Sequence, residues 1–412
     1  MSDGVCVGSL DNLADWYDLE SVRLGFPALQ SCGCVYLDNA ATSFCCQASV
    51  QAWQNAYLGG LGSPGRGSHA LAALAKEKYE STRSAVAGHL GTGADSQLVF
   101  VESVTAGLNL LAYCLEPSIL SSDLILATEL EHHSNYLPWM TLARRTESAF
   151  YAVPVTLDGD IDQDSWYRML DARPKVVALS SASNVTGHMP PIRRLVDEAR
   201  AAGAIVVVDG AQHLPNSSIS FVDIGCDFLV VSAHKMGGPR GIAAIVGRTG
   251  MLDRLSPAFV GGGVVKSVSS TDYDLQSGVS RFEPGTRDVA MALAWEEAFN
   301  FWSGYPGALQ YLTLLGRYLR TGLESIRGVS LLPGGASGTQ AITSFILDGI
   351  HPHDLADYMD RRNICIRTGH MCAQPLVRRL GHMAVNRVSI SRYTSVDEVN
   401  RFLDAIEGAT NA

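Results

Sequence analysis

Residues 176–235 contain three apolar runs, VVALSSAS (176–183), AIVVVDGAQ (204–212) and CDFLVVSAHK (226–235). The amphipathic segment PIRRLVDEARAAG (191–203) lies between the first two. Each run is short, continuous and rich in valine, as a strand buried on both faces requires. Pro191 near the start of the segment and Gly203 at its end punctuate a helix. Strand, helix, strand in this cadence predicts βαβ units and a mainly parallel sheet, so the expected class is α/β.

Working outward, the texture changes after about residue 295. ALAWEEAFNFW (292–302) and ALQYLTLLGRYLRTGLESI (308–326) are long helical patterns. TSFILDG (343–349), NICIRTG (363–369) and NRVSISR (386–392) then read as short strands among helices. A chain of 412 residues suits two domains better than one core. The expected division is an N-terminal segment over 1–30 packing on the small domain, a large domain over 31–295, and a smaller α+β domain over 296–412.

Composition narrows the classes. Hydrophobic residues at 47% and charged residues at 17% suit a globular fold. The net charge of −10, with no Lys/Arg cluster, argues against nucleic acid and against anionic membranes. No apolar run reaches the roughly 18 residues of a membrane-spanning helix. The start, MSDGVCVGSLDNLADWYDLE, has neither the basic nor the apolar stretch of a secretory signal, so a cytoplasmic address is expected. Nine cysteines, an odd number, argue against a disulfide framework. Cys32, Cys34, Cys45 and Cys46 crowd together, but CxC and CC are not zinc-knuckle spacings and no His lies near, so no metal is expected.

Functional polar residues of a doubly wound sheet sit at the carboxyl ends of its strands. Asp209 ends IVVVD, Lys235 follows FLVVSAH and Asn184 follows VVALSSAS. A lone Asp there is ordinarily a cap or turn former, and a lone Lys a solvated surface group. Lys235 is harder to dismiss, because it leaves a strongly apolar strand and would lose hydration. An amine, a carboxylate and an amide at one sheet edge form a set that pyridoxal-phosphate (PLP) chemistry uses. The amine forms a Schiff base, the carboxylate pairs with the pyridinium nitrogen and the amide reaches the ring oxygen. SVTAGLNLLAYCL (103–115) reads as a turn entering a helix, where Ser103 and Thr105 would face an anion. Ser232 and His234, flanking Lys235, add donors. His132 or His133 in ELEHHSNYLPW (129–139) offers a flat ring for stacking, with an ordinary core or surface His as the alternative. Cys372 lies in the loop RTGHMCAQP (367–375) beside Arg367 and His370, surroundings that suit a reactive thiol. A buried structural cysteine is the plainer alternative.

These motifs form a series. YLDNAAT (36–42), RGSH (66–69), EHHSN (131–135), SNVTG (183–187), VDGAQ (208–212), SAHK (232–235), GGG (261–263), FEPGT (282–286), HPHD (351–354) and RTGHMCAQP (367–375) occur in this order. On them the chain resembles the group II cysteine desulfurases and selenocysteine lyases of the class V aminotransferase superfamily, from about residue 20 to the C-terminus. The resemblance implies PLP fold type I, with a mainly parallel seven-stranded sheet and a smaller C-terminal domain. It implies Lys235 as the Schiff-base lysine, Asp209 at the pyridinium, Gln212 at the ring oxygen and His132 stacked on the ring. Ser103, Val104, Thr105, Ser232 and His234 would hold the phosphate. Thr286 would reach the phosphate of a second subunit, which implies a homodimer. Asn184, Arg367, His370 and Arg387 would bind the substrate, and Cys372 would take its sulfur as a persulfide. L-cysteine would leave as L-alanine, and an acceptor protein or small molecule would then receive the sulfur.

The chain departs from the family pattern at Met371, where a second His is common, and at Ala106, where a Glu is. It departs again at Gly237, Arg240, Arg287 and Asp288. Two other readings stand beside a desulfurase. One is another enzyme of the superfamily, a selenocysteine or cysteine sulfinate lyase, an aminotransferase or an epimerase, none of which needs an attacking thiol. The other is a non-catalytic sulfur-relay scaffold, which an intact set of Lys235, Asp209, His132 and Arg387 argues against.

Overall fold

The structure is a computed structural model that describes residues 16–65, 67–334 and 341–410. Its centre is a seven-stranded sheet made of β1 (Ser96–Val101), β2 (Leu124–Thr128), β3 (Ala149–Val153), β4 (Val176–Ser180), β5 (Ile205–Asp209), β6 (Phe228–Ser232) and β7 (Ala243–Arg248). The strand order is β1-β7-β6-β5-β4-β2-β3. β2 to β6 run parallel, and β7 is antiparallel to both of its neighbours. The runs that read as strands are β4, β5 and β6, and the helix between the first two spans Ile192–Ala201.

The alternation of side chains builds two cores from one sheet. Val177, Leu179, Val206, Val208, Leu229 and Val231 face one apolar cluster. Val176, Ala178, Val207, Phe228 and Val230 face the other. Helices cover both faces, which is why these strands are apolar at every position.

A four-stranded antiparallel sheet lies in the C-terminal part: β8 (Val329–Leu331), β9 (Ile342–Leu347), β10 (Arg367–Gly369) and β11 (Val385–Ser389), in the order β8-β9-β11-β10. Position 295, the expected boundary, falls inside the helix Val289–Ser303. That helix buries Ala292, Trp295, Ala298 and Phe299 in the core of the large sheet, and the C-terminal part begins after it. The two parts are not separate cores: the same cluster continues through Tyr311 and Leu315 to Phe345 and Phe402.

Of the segment 1–30, residues 1–15 lie outside the described residues. The rest lies against the C-terminal part. The Tyr17 hydroxyl donates to Arg392 O at 2.6 Å, and Arg23 pairs with Glu398 at 2.8 Å. The chain then forms the short strand Val35–Tyr36, parallel to Ile364–Cys365, and so crosses between the two parts at the edge of the site. No described helix is long and apolar enough to cross a membrane.

Candidate active site

In sequence order the chain builds β2 and β3 on one side of β4, then β5 and β6 on the other. A crevice opens beyond the carboxyl ends of strands at such a switch point. A cavity of about 200 Å³ lies there. It is lined by Ser103, Val104, Thr105, His132, Asn184, Asp209, Gln212, Ser232, His234 and Lys235, all of them candidate site residues from the sequence.

Lys235 is half-buried at the cavity wall, and loss of hydration pushes its pKa down to about 8, with Asp209 opposing and Arg387 adding to the shift. Asp209 is buried too. Burial pushes its carboxyl up, against the Ala211 N–H at 2.9 Å and the nearby Lys235. Burial, followed by the Lys235 charge, holds His132 neutral with a pKa of about 3. Its Nδ1 accepts from the Ser134 N–H at 3.0 Å, so the proton of the neutral ring sits on Nε2.

One end of the cavity is built for an anion. Ser103 caps the helix Val104–Leu115, accepting from the Ala106 N–H at 3.0 Å. The helix comes close to the sheet because residue 107 is Gly. A Cβ there would meet Val230 Cγ1 at 3.0 Å and Ile245 Cγ1 at 3.2 Å. Thr105 Oγ1 and Ser134 Oγ share a hydrogen bond of 2.7 Å at this helix entry. Burial holds His234 neutral at about 4, and its Nδ1 lies 3.1 Å from Thr42 Oγ1.

Three buried polar atoms on the cavity wall, Asn184 Oδ1, Gln212 Oε1 and Ser232 Oγ, have no protein partner. Buried polar atoms left without partners are costly, so a wall carrying three of them implies a polar occupant. Amine, carboxylate, flat neutral ring and anion-binding helix entry fit PLP as that occupant.

A second layer lies against Asn184. Asn184 Nδ2 donates to Met371 O at 2.7 Å, and Asn184 O accepts from Arg387 Nη1 at 2.9 Å. Arg387 is buried at 2% exposure, while Cys372 is exposed. The His370 ring lies 5.9 Å from that of His133. Thr286 is not brought to this cavity. It lines a separate groove with Tyr57, Gly62 and Arg287.

Several departures from the family pattern have local causes. Gly237 has φ +91°, where a side chain is strained, and its Cβ would meet Trp302 Nε1 at 3.2 Å. Arg287 pairs with Glu283 at 3.3 Å, and Asp288 caps the helix Val289–Ser303 through the Met291 N–H at 3.0 Å. The four early cysteines do not share one site. Cys32 Sγ donates to Cys34 O at 3.6 Å and Cys34 lies by Cys365, whereas Cys45 lies by Cys46 and Ser49. No described group of three or more His, Cys, Asp or Glu residues is arranged to hold a metal.

Two residues with no role assigned from sequence are also present. Asp38 joins Arg367 and Arg387, each at 2.8 Å. Glu131 is buried behind His132 and accepts from Thr128 Oγ1, Asn135 Nδ2, Ser180 Oγ and Ser180 N. The available signal for Asp38 was its place after the apolar pair YL, the same cue that pointed to Asp209.

Residues 35–402 match the family model described as aminotransferase class-V, and the chain belongs to that family. PLP is its cofactor. Several of its relatives are named as cysteine desulfurases. A probable cysteine desulfurase of Pseudomonas putida is 36% identical, covering 93% of this chain and 96% of that one. A cysteine desulfurase of Haloferax volcanii is 31% identical, covering 95% and 97%. Among solved structures, the apo cysteine desulfurase of Thermococcus onnurineus superposes with a TM-score of 0.90 at 30% identity, covering 95% and 98%. An Escherichia coli cysteine desulfurase, solved as an S-sulfonic acid, gives 0.88 at 29%, covering 96% and 99%.

Proposed function

We propose that this chain is a PLP-dependent cysteine desulfurase that converts L-cysteine to L-alanine, with the sulfur passing to Cys372 as a persulfide. The observation that carries the reading is the joining of two loops. The Cys372 loop is tied to the wall of the cavity that holds Lys235, Asp209 and His132, by Asn184 Nδ2 donating to Met371 O at 2.7 Å.

Bound PLP supplies an electron sink for the carbanion formed at the substrate Cα. The Lys235 amine anchors the cofactor and, once freed, moves the Cα proton. Its depressed pKa of about 8 leaves a usable neutral fraction near neutrality. Asp209 would hold a proton at the ring nitrogen, His132 would stack on the ring, and Gln212 would contact the ring oxygen. Ser103, Val104, Thr105, Ser232 and His234 hold the phosphate. Arg387 and Asn184 take the substrate carboxylate, with Arg367 and His370 lining the approach. The Cys372 thiolate attacks the substrate sulfur. A sulfur–sulfur bond forms as the carbon–sulfur bond breaks, and the electron pair of the broken bond stays with carbon.

A homodimer is part of this reading. Thr286 lies away from its own cavity, in a groove with Tyr57 and Arg287, where it could serve the phosphate of a second copy. So is a two-part chain whose C-terminal part carries the Cys372 loop, and an acceptor that takes the sulfur. The eight described cysteines are all free thiols, which suits the reducing cytoplasm.

The test is incubation of the yellow holoenzyme with L-cysteine. One extra sulfur on the chain, located at Cys372, and one alanine per sulfur are expected. Cys372→Ser should keep the colour and form no alanine from cysteine. Undiminished alanine formation by that variant would move the chain to the lyase group.

A further inference from the structure

The two guanidiniums at the substrate end share one carboxylate. Asp38 Oδ1 accepts from Arg387 Nη2 at 2.8 Å, and Asp38 Oδ2 accepts from Arg367 Nη2 at 2.8 Å and Nε at 3.0 Å. Arg387 is also held at its other end, by Nη1 donating to Asn184 O at 2.9 Å. Its fork is therefore fixed at both terminal nitrogens, while its Nε has no protein partner. Arg367 is about half exposed, and Asp38 takes the edge of its guanidinium that carries Nε and Nη2.

Asp38 is not a mobile surface group. It forms a bridge to Ser389 at the end of β11. Asn39 Nδ2 donates to Ser389 O at 2.9 Å, and the Ala40 N–H donates to Ser389 Oγ at 2.9 Å. The Tyr393 hydroxyl donates to Asn39 Oδ1 at 2.5 Å. On the far side Ala40 O accepts from Gln212 Nε2 at 2.7 Å, so the same turn abuts the cofactor cavity. The carboxylate is thus delivered to both arginines by a rigid turn, at the cost of an ion pair that stability alone does not require.

We propose that Asp38 sets the charge selectivity of the substrate site. Two guanidiniums and one carboxylate leave one positive charge, which matches the single α-carboxylate of an amino acid with a neutral side chain. Without Asp38, Arg367 would be free to receive a second anionic group, such as a side-chain sulfinate or carboxylate. Asp38 withholds that cation and so disfavours doubly anionic amino acids. This rests on the reading above that Arg387 and Arg367 face the substrate.

The experiment is a charge series on the holoenzyme. Arg367→Gln leaves no net charge in the trio, the wild type one positive charge, Asp38→Asn two, and the Asp38→Asn, Arg367→Gln double variant one again. For each, kcat/KM is measured with L-cysteine and with L-cysteine sulfinate. Binding of L-alanine, the single-carboxylate product, is followed by the change in cofactor absorbance. The sulfinate-to-cysteine ratio of kcat/KM should rise about tenfold or more in Asp38→Asn and return to near the wild-type value in the double variant. It should fall by a similar factor in Arg367→Gln. Alanine binding should change far less than that ratio in Asp38→Asn, because alanine carries one carboxylate and the Asn oxygen can still accept from Arg387 Nη2.

A ratio that does not follow the charge, or equal losses for both substrates in every variant, would overturn the proposal and leave Asp38 a structural residue. If Asp38→Asn fails to hold the cofactor, Arg367→Gln against wild type still decides the sign. A wild type that makes no alanine from cysteine is a different failure, that of the desulfurase reading itself.

Discussion

The backbone N–H of His133 donates to the carbonyl oxygen of Cys372 at 2.6 Å. This bond joins the loop after β2 in the large sheet to the loop after β10 in the small one, and so links the segment that carries the His132 ring to the one that carries the Cys372 thiol. The Gln374 N–H returns the contact, donating to His133 Nε2 at 3.3 Å. Met371 and Cys372 both adopt left-handed backbone, at φ 51° and 55°. For non-glycine residues that costs on the order of 1–2 kcal/mol each, so other contacts must hold the loop.

Met371 supplies one of those contacts. Its side chain is buried among Leu130, Val185 and Leu376. This gives a physical reason for an apolar residue where the family commonly has a second His. Met371→Ala removes the anchor, a change that costs about 2–5 kcal/mol in a packed site. The expected result is a cofactor spectrum like that of the wild type and persulfide formation slowed tenfold or more, followed by intact mass over time. An unchanged rate would show that the loop does not need this anchor.

Lys235 should reveal its burial through pH. An amine adds to the cofactor aldehyde only when neutral, and the pKa of Lys235 is lowered from 10.5 to about 8. The rate at which apoprotein regains the yellow colour should therefore rise as pH passes through about 8 and then level off. A rate still climbing beyond pH 10 would indicate an ordinary, solvated lysine.

Glu131 accepts four hydrogen bonds in a wholly buried site. Replacement by Gln turns an amide N–H₂ towards donors and leaves at least one unpaired, at a cost of about 1–3 kcal/mol. The pH dependence has a definite sign. Burial raises the Glu131 pKa from 4.5 to about 7, so the folded state keeps a proton that the unfolded state has already lost. Its contribution is full below 4.5 and declines as pH rises to about 7, by at most about 1.4 kcal/mol per unit. Urea midpoints should therefore be lower for Glu131→Gln throughout, with a wider gap at pH 5 than at pH 7.5. A gap that widens with pH would show that the four donors, not burial, control the carboxylate.

Arg387 bridges Asn184 O and Asp38 with two different nitrogens. Lysine has a single ammonium and cannot span both while presenting a fork to a carboxylate. Arg387→Lys should raise KM for L-cysteine about 10- to 100-fold, the equivalent of one charge-assisted hydrogen bond of roughly 1.5–3 kcal/mol, with a smaller change in kcat. Steady-state kinetics at several cysteine concentrations separate the two.

The sequence by itself determined the parallel strands and much of the cofactor cavity. β4, β5 and β6 are legible because strands buried on both faces must be continuously apolar, and a polar residue at their carboxyl ends then has few ordinary explanations. Asp209, Asn184 and Lys235 are legible that way, His132 or His133 and Cys372 stand out by their local surroundings, and the resemblance adds Gln212 and Arg387. Only the tertiary structure decided what these residues touch. Asp38 and Arg387 are separated by 349 positions, and nothing in either local sequence encodes their 2.8 Å contact. The same holds for His133 and Cys372, and for the burial of Met371 against Leu130 and Val185. Periodicity reports the environment of a residue along its own strand or helix. Charge pairing across two sheets depends on how those sheets dock, and that is set by the shared core running from Trp295 to Phe402.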